Sequence, residues 1–279
     1  MADSRPRDPS ALTLLVPAVV ALATTAALAA VPAIFDGWPG AVGASGVPFC
    51  ERFRPGLVAQ PANTFSNLGF VAVALLIGWR ARRDLLGGAA GGAPAPRNRM
   101  TAGVFYPAFY AGVAAFLGPG SAAMHASTTR WGGRVDVLSM YLFILWVIAF
   151  AWVRLRDGSQ RDFLRLYVPA TLILGIPHLA GWIPISSDLI FAGLVVTAAA
   201  LEIAVRRAHP GRRARRGYLL GAGACFLLAF GIWIPSRTDG PLCAPDSLLQ
   251  GHAVWHLLCA GSVWLLYCYA RSERDAVAG

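Results

Sequence analysis

Lysine is missing from this chain of 279 residues: all 24 basic side chains are arginine, set against 14 acidic ones. An arginine-only set reads as the codon usage of a GC-rich genome rather than as a functional signal. Charge of either sign is scarce. Charged residues make up 14% of the sequence, 56% are hydrophobic and the mean hydropathy is +0.56. A soluble domain carries about 25% charged residues. No internal repeat is present, and no stretch is polar and long enough to enclose a soluble core. No aromatic or groove-reading motif accompanies the arginines, so the formal charge of +10 does not indicate a nucleic-acid partner. What fills the chain is a series of apolar runs of bilayer length.

A run of about 20 apolar residues crosses the hydrocarbon core as a helix. Eight such runs are present: Leu12–Phe35, Asn63–Trp79, Thr101–Met124, Val135–Val153, Phe163–Trp182, Ser187–Val205, Tyr218–Ile234 and Leu248–Ala270. They predict an all-α integral membrane protein, a seven-helix bundle over residues 36–270 preceded by one extra helix within residues 1–35. Residues 271–279 then form a short tail. The first run is ambiguous, because Arg5 and Arg7 precede it and Ala27-Leu28-Ala29 could serve as a signal-peptide cleavage site. Its length exceeds the usual apolar core of a signal peptide, roughly 7–15 residues, which favours a retained helix. The Gly/Ala/Pro segment from Gly87 to Pro96 reads as a flexible linker.

Placing the odd-numbered connections outward puts 19 arginines inside and leaves five outside: Arg52, Arg54, Arg130, Arg134 and Arg237. This positive-inside distribution predicts that both termini are cytoplasmic, in a bacterial inner membrane. The cluster from Arg212 to Arg216 then reads as an orientation signal touching anionic headgroups, at about 1 kcal/mol per residue. Cys50 and Cys243 fall in two different outer loops, in an oxidising compartment. They either pair or stand as two separate thiols. Cys225, Cys259 and Cys268 fall within spans and read as small buried hydrophobes.

Five polar residues interrupt the apolar pattern: Ser121, His125, Asp136, His252 and His256. An ionisable side chain at the centre of a spanning helix costs roughly 2.5–3.5 kcal/mol, so such residues face a cavity, a metal or one another. Ser121-x-x-x-His125 and His252-x-x-x-His256 each put two side chains on one helix face. On the arginine-derived topology all five fall in one layer near the outer face. Three imidazoles with a fourth position open to water form the coordination of a catalytic zinc. Zinc lowers the pKa of water to about 7. Asp136 suits a general base and Ser121 a donor to a developing oxyanion. A serine nucleophile with a histidine base is also possible, but it leaves two imidazoles without work. Gly118-Pro119-Gly120 should kink or loosen the helix before Ser121. His178 reads as a bonded packing residue and His209 as a solvated loop residue.

Two functional classes fit these residues. One is a hydrolase of lipid amides or esters whose acyl chain lies between the helices. The other is a receptor-like protein that keeps zinc for structure; Asp136 and Ser121 favour the hydrolase. Oligomeric state is not legible in the sequence.

Cys50-Glu51, Asn63-Thr64-Phe65-Ser66-Asn67, Gly118-Pro119-Gly120-Ser121 with His125, Asp136, and His252 through His256 together resemble the alkaline ceramidases. These belong to a superfamily of seven-helix membrane hydrolases that includes adiponectin-type receptors and glycolipid-remodelling proteins. The resemblance covers roughly Phe49 to Ala270. It implies a zinc amidohydrolase that cleaves ceramide, a membrane lipid, into fatty acid and sphingoid base. It further implies zinc on His125, His252 and His256, assistance from Asp136 and Ser121, and a Cys50–Cys243 disulfide. A phospholipase-like ester hydrolase is the alternative within the superfamily. Two departures stand out. The helix at Leu12–Phe35 is extra. The acidic calcium site of the animal ceramidases is depleted too, with Pro48, Phe53 and Gln60 leaving Glu51 nearly alone, which argues against calcium.

Overall fold

The computed structural model describes residues 8–41, 49–87 and 98–274. Arg5, Arg7, Pro48, Arg97, the linker after Gly87 and the tail from 275 lie outside the described residues. Among the described residues nine α-helices follow one another: α1 (Leu12–Phe35), α2 (Pro61–Ser66), α3 (Leu68–Leu85), α4 (Phe105–Ser127), α5 (Arg130–Leu155), α6 (Gln160–Ala180), α7 (Ser187–Ala208), α8 (Arg216–Trp233) and α9 (Gly251–Arg271). Among the described residues the only β-pairing is three isolated bridges. The eight long helices correspond to the eight apolar runs. The chain is an all-α integral membrane protein.

Among the described residues seven helical segments are long and apolar enough to cross a bilayer, and α4 is not among them. The reason is its position. Of its 23 residues 18 are buried, with α1, α3 and α5 packed around it. A helix shielded from lipid by its neighbours needs small residues for close packing more than it needs hydropathy. A Cβ on Gly118 would stand 2.6 Å from Val71 Cγ2, and one on Gly120 would stand 2.6 Å from Ser139 Cβ. These two glycines therefore let α3 and α5 approach α4 from different sides. The expected loosening at Gly118-Pro119-Gly120 is not what forms: α4 runs without interruption through Pro119, and the glycines serve contact.

The second apolar run divides into α2 and α3 at Asn67. Ser66 Oγ donates to the Asn63 carbonyl at 2.9 Å and Asn67 Nδ2 donates to the same oxygen at 2.8 Å. Short polar side chains thus take the acceptor that a continuous helix would offer its backbone. The extra helix, α1, lies against α3 and α4. Thr13 Oγ1 donates to the Gly78 carbonyl at 2.9 Å, and a Cβ on Gly78 would fall 2.2 Å from Thr13 O. Cys225, Cys259 and Cys268 are half-buried rather than buried.

The segment before α2 is tied down at three points. A disulfide joins Cys50 to Cys243 with their Cα atoms 5.4 Å apart. Arg52 grips the Asp246 carboxylate through Nε and Nη2, at 2.5 and 2.6 Å. The amides of Ala59 and Gln60 donate to the carbonyls of Ala126 and His125, each at 3.0 Å. The loop is thereby fixed both to the entrance of α9 and to the end of α4. A native disulfide in a small domain contributes about 2–5 kcal/mol, so Cys50→Ser should lower the thermal midpoint in detergent. Denatured without reductant, the parent protein should add maleimide at three thiols, and at five after reduction. Five without reduction would contradict the bond.

Candidate metal centre

The turn between α4 and α5 sets the site's depth. Thr128 adopts a left-handed conformation (φ 48°) that ends α4, and the Thr129 hydroxyl accepts from Gly132 N at 2.9 Å to start α5. Ser121 stands six positions before the end of α4, and Asp136 six positions after the start of α5. At 1.5 Å per residue both lie about 9 Å from the turn. The half-buried Asp136 accordingly faces the Ser121 hydroxyl.

His125 on α4 and His252 and His256 on α9 converge. All three are buried, and one ring nitrogen from each lies within 4.8 Å of the other two. His125 Nε2 and His252 Nε2 are 3.1 Å apart. Ser121 Oγ is 3.4 Å from His256 Nε2. The other two histidines stay apart from this group. His178 Nε2 lies 3.0 Å from the Arg134 carbonyl and its ring packs edge-on to Tyr141, as expected of a packing residue. His209 is not simply solvated, because its Nε2 reaches the Leu155 carbonyl at 3.0 Å.

The remaining hydrogen bonds decide which way two of the imidazoles present their protons. Gln60 Nε2 donates to the Glu51 carbonyl at 3.0 Å, which leaves Oε1 to accept from His125 Nδ1, also at 3.0 Å. Ser66 spends its one proton on the Asn63 carbonyl at 2.9 Å. Its oxygen therefore accepts from His256 Nδ1, at 2.7 Å. A neutral imidazole that donates through Nδ1 carries its lone pair on Nε2. The Nε2 lone pairs of His125 and His256 thus both point into the cluster. His252 Nδ1 has no partner among the described residues. Phe49 covers the outer side, its ring centroid 4.6 Å from that of His125 and 4.2 Å from that of His252.

These residues fit a tetrahedral transition metal. Nitrogen ligands at about 2.0–2.1 Å imply N···N separations of roughly 3.3 Å, close to the His125–His252 pair. They do not fit calcium, which takes about six to eight oxygens. Both Glu51 carboxylate oxygens are engaged by backbone amides of α2, Ala62 N at 2.7 Å and Asn63 N at 2.8 Å. Glu51 therefore bonds the backbone rather than Arg52 or Arg54. Phe53 offers no oxygen on its side chain.

The sequence assigns no histidine-orienting role to Gln60, Ser66 or Phe49, although Ser66 lies in the Asn63–Asn67 motif and Gln60 among the positions lost from the calcium site. The signal available was the density of amide and hydroxyl groups just inside an apolar run, from Gln60 to Asn67, which polarity against lipid leaves unexplained unless they bond one another or a site.

The fold and this cluster together define a polytopic membrane protein with a buried three-histidine centre next to a serine and an aspartate. A family model described as Ceramidase matches residues 43–275, which is most of the chain and includes every residue of the cluster. The chain belongs to the ceramidase family, and the activity the family implies is hydrolysis of a lipid amide bond. Among curated proteins none matches the chain.

Outer partners that orient metal-ligating histidines are worth about 10–100-fold in metal affinity. Gln60→Leu and Ser66→Ala should each weaken zinc binding by roughly that factor, measured by competition with a chromophoric chelator. Unchanged affinity in both variants would show that these bonds do not orient the rings.

Proposed function

We propose that this protein hydrolyses the N-acyl bond of ceramide or a similar N-acyl lipid, with zinc held by His125, His252 and His256. The observation that carries this reading is the convergence of His125, His252 and His256, one ring nitrogen of each within 4.8 Å of the other two, with Nδ1 of His125 against Gln60 and Nδ1 of His256 against Ser66. Zinc on three imidazoles supplies Lewis acidity and renders water nucleophilic near neutral pH.

The chain's own residues have distinct parts in the reaction. The Asp136 carboxylate takes a proton at Oδ from the attacking water and returns it to the departing nitrogen. The water oxygen adds to the acyl carbon, the C–N bond breaks, and a fatty acid and an amine result. Ser121 Oγ–H donates to the acyl oxygen as negative charge develops there. Phe49 keeps bulk water from the cluster, which strengthens these interactions. On α8 and α9, Phe226, Phe230, Trp233 and Trp255 form an aromatic group suited to an acyl chain.

Two features support catalysis over a purely structural metal. A structural zinc takes four protein ligands, and among the described residues only three histidines converge. Ser121 also stands beside the cluster with Asp136 behind it. For sidedness, we place both termini in the cytoplasm and the histidines near the outer face of a bacterial inner membrane, on the strength of the arginine distribution. We read α1 as a retained part of the protein, since Thr13 and Gly78 are shaped to each other.

The test is metal content followed by turnover of long-chain N-acyl lipids and matched esters in detergent. The expected result is one zinc per chain, amide hydrolysis lost with chelator and restored by zinc. His252→Ala should lose the metal. Asp136→Ala should keep it and lose about 10²-fold or more in rate, the usual size of a general-base contribution. A parent protein that binds no zinc would overturn the assignment, and turnover confined to esters would move it to the phospholipase-like alternative.

A further inference from the structure

A second polar site lies at the far end of the bundle. From His252 to Tyr269, α9 runs 17 residues, about 26 Å at 1.5 Å per residue. That is close to the thickness of the hydrocarbon core, about 30 Å. At that end an open cavity of about 510 Å³ lies between the ends of α5, α7, α8 and α9. Five arginines line it (Arg154, Arg206, Arg212, Arg213 and Arg216) against one lining carboxylate, Glu273.

Its inner wall is a closed network. Arg154, only 4% exposed, donates to Glu202 at 2.6 Å and also to Glu273. Arg206 reaches Glu202 at 3.3 Å and the Tyr269 hydroxyl at 3.1 Å, and that hydroxyl donates to Glu202. Arg212 donates to the Arg154 carbonyl at 2.7 Å and pairs with Asp157. All three carboxylates are committed to Arg154, Arg206 and Arg212.

The rim is different. Arg213 and Arg216 are exposed, and neither has an ion-pair partner among the described residues. Their positions are nonetheless fixed. Backbone bonds of 2.8 and 2.9 Å pair Arg213 with Arg274, and Arg215 N donates to Ser272 Oγ at 3.0 Å. The connection between α7 and α8 is therefore stapled to the end of α9, and it holds two uncompensated guanidinium groups at the mouth of a formed cavity. A cluster expected to orient the chain and to touch anionic headgroups thus also lines a concavity.

We propose that this cavity binds a phosphate-bearing anion, with Arg213 and Arg216 as its charge-neutralising groups. Guanidinium forks match phosphate oxygens in geometry and remain charged at any working pH. Basic pockets between spanning helices on the cytoplasmic side suit anionic headgroups. The same chemistry can be supplied by a phospholipid headgroup or by a soluble phosphate, and the two sources are separable.

The experiment uses the full chain and an Arg213→Gln/Arg216→Gln double variant. The control is Arg161→Gln/Arg207→Gln, which removes the same charge from positions outside the cavity. Retention of phosphatidylglycerol against phosphatidylcholine is read by native mass spectrometry from mixed nanodiscs. Binding of inorganic phosphate is read by calorimetry in neutral detergent. The expected result is selective anion binding by the parent and the control, weaker by roughly tenfold or more in the cavity variant at about a factor of five per arginine. Phosphatidylglycerol retention without phosphate binding identifies a lipid site, and phosphate binding in detergent identifies a soluble one. Equal retention of both lipids with no phosphate binding, or equal losses in the cavity and control variants, would overturn the proposal. Circular dichroism and elution volume confirm that the variants are folded.

Discussion

Everything at the histidine end of this molecule depends on presenting three imidazoles to one point without charging any of them. Away from water a protonated histidine is expensive, and an imidazole aimed the wrong way offers a proton where a lone pair is needed. The bonds from His125 to Gln60 and from His256 to Ser66 settle that orientation. They hold only if Gln60 and Ser66 are themselves fixed, and this is where Glu51 enters. Its carboxylate caps the start of α2 through the amides of Ala62 and Asn63, while its carbonyl takes the Gln60 side-chain amide. A carboxylate at a helix N-terminus is well placed against the free amides there. The Cys50–Cys243 disulfide, beside Glu51, then anchors this scaffold to the loop that leads into α9. One short polar element thus serves ligands on two different helices.

The parts of this arrangement differed in how far the sequence exposed them. Apolar runs gave the long helices because lipid imposes a length and a composition on any helix that faces it. His252 and His256 were legible together because the i, i+4 relation is local. Their union with His125 followed from topology, since the arginines placed all three at one depth. Gln60 and Ser66 were not legible in the same way. They act across 65 and 190 residues of chain, and nothing in local spacing encodes such a contact. Gly118 and Gly120 show the opposite difficulty. Their local signature is that of a loosened helix, whereas the neighbours α3 and α5 use the missing side chains to reach α4. Tertiary packing overrode the local propensity.

The same contrast explains α4, which carries Ser121 and His125 yet falls short of the apolarity of the other spans. A helix at the centre of a bundle is solvated by protein, so it can hold tyrosine, proline, serine and histidine at little cost. The polar residues of the centre are tolerated because α1, α3 and α5 keep α4 from lipid. The extra helix has a direct part in this. A Cβ on Gly112 of α4 would meet Val16 Cγ1 at 3.0 Å, so α1 covers a face of α4 that lipid would otherwise touch.

The two ends of α9 then show how one helix meets opposite electrostatic demands. At its start, charge is low: the His256 imidazole bonds the uncharged Ser66 hydroxyl, and the nearby Arg52 is paired with Asp246. At its finish, charge is concentrated: Arg154 sits buried with Glu202 and Glu273, and Arg213 and Arg216 line the mouth beside it. Breaking a buried ion pair by removing one partner costs far more than a surface pair contributes. The buried network therefore holds the ends of α5, α7 and α9 in register, independently of what binds at the mouth. Because α9 is a single continuous helix, its position at the histidines is set partly by how firmly its far end is held. Rigidity at the charged end and precision at the neutral end are then two consequences of the same helix being fixed at both membrane faces.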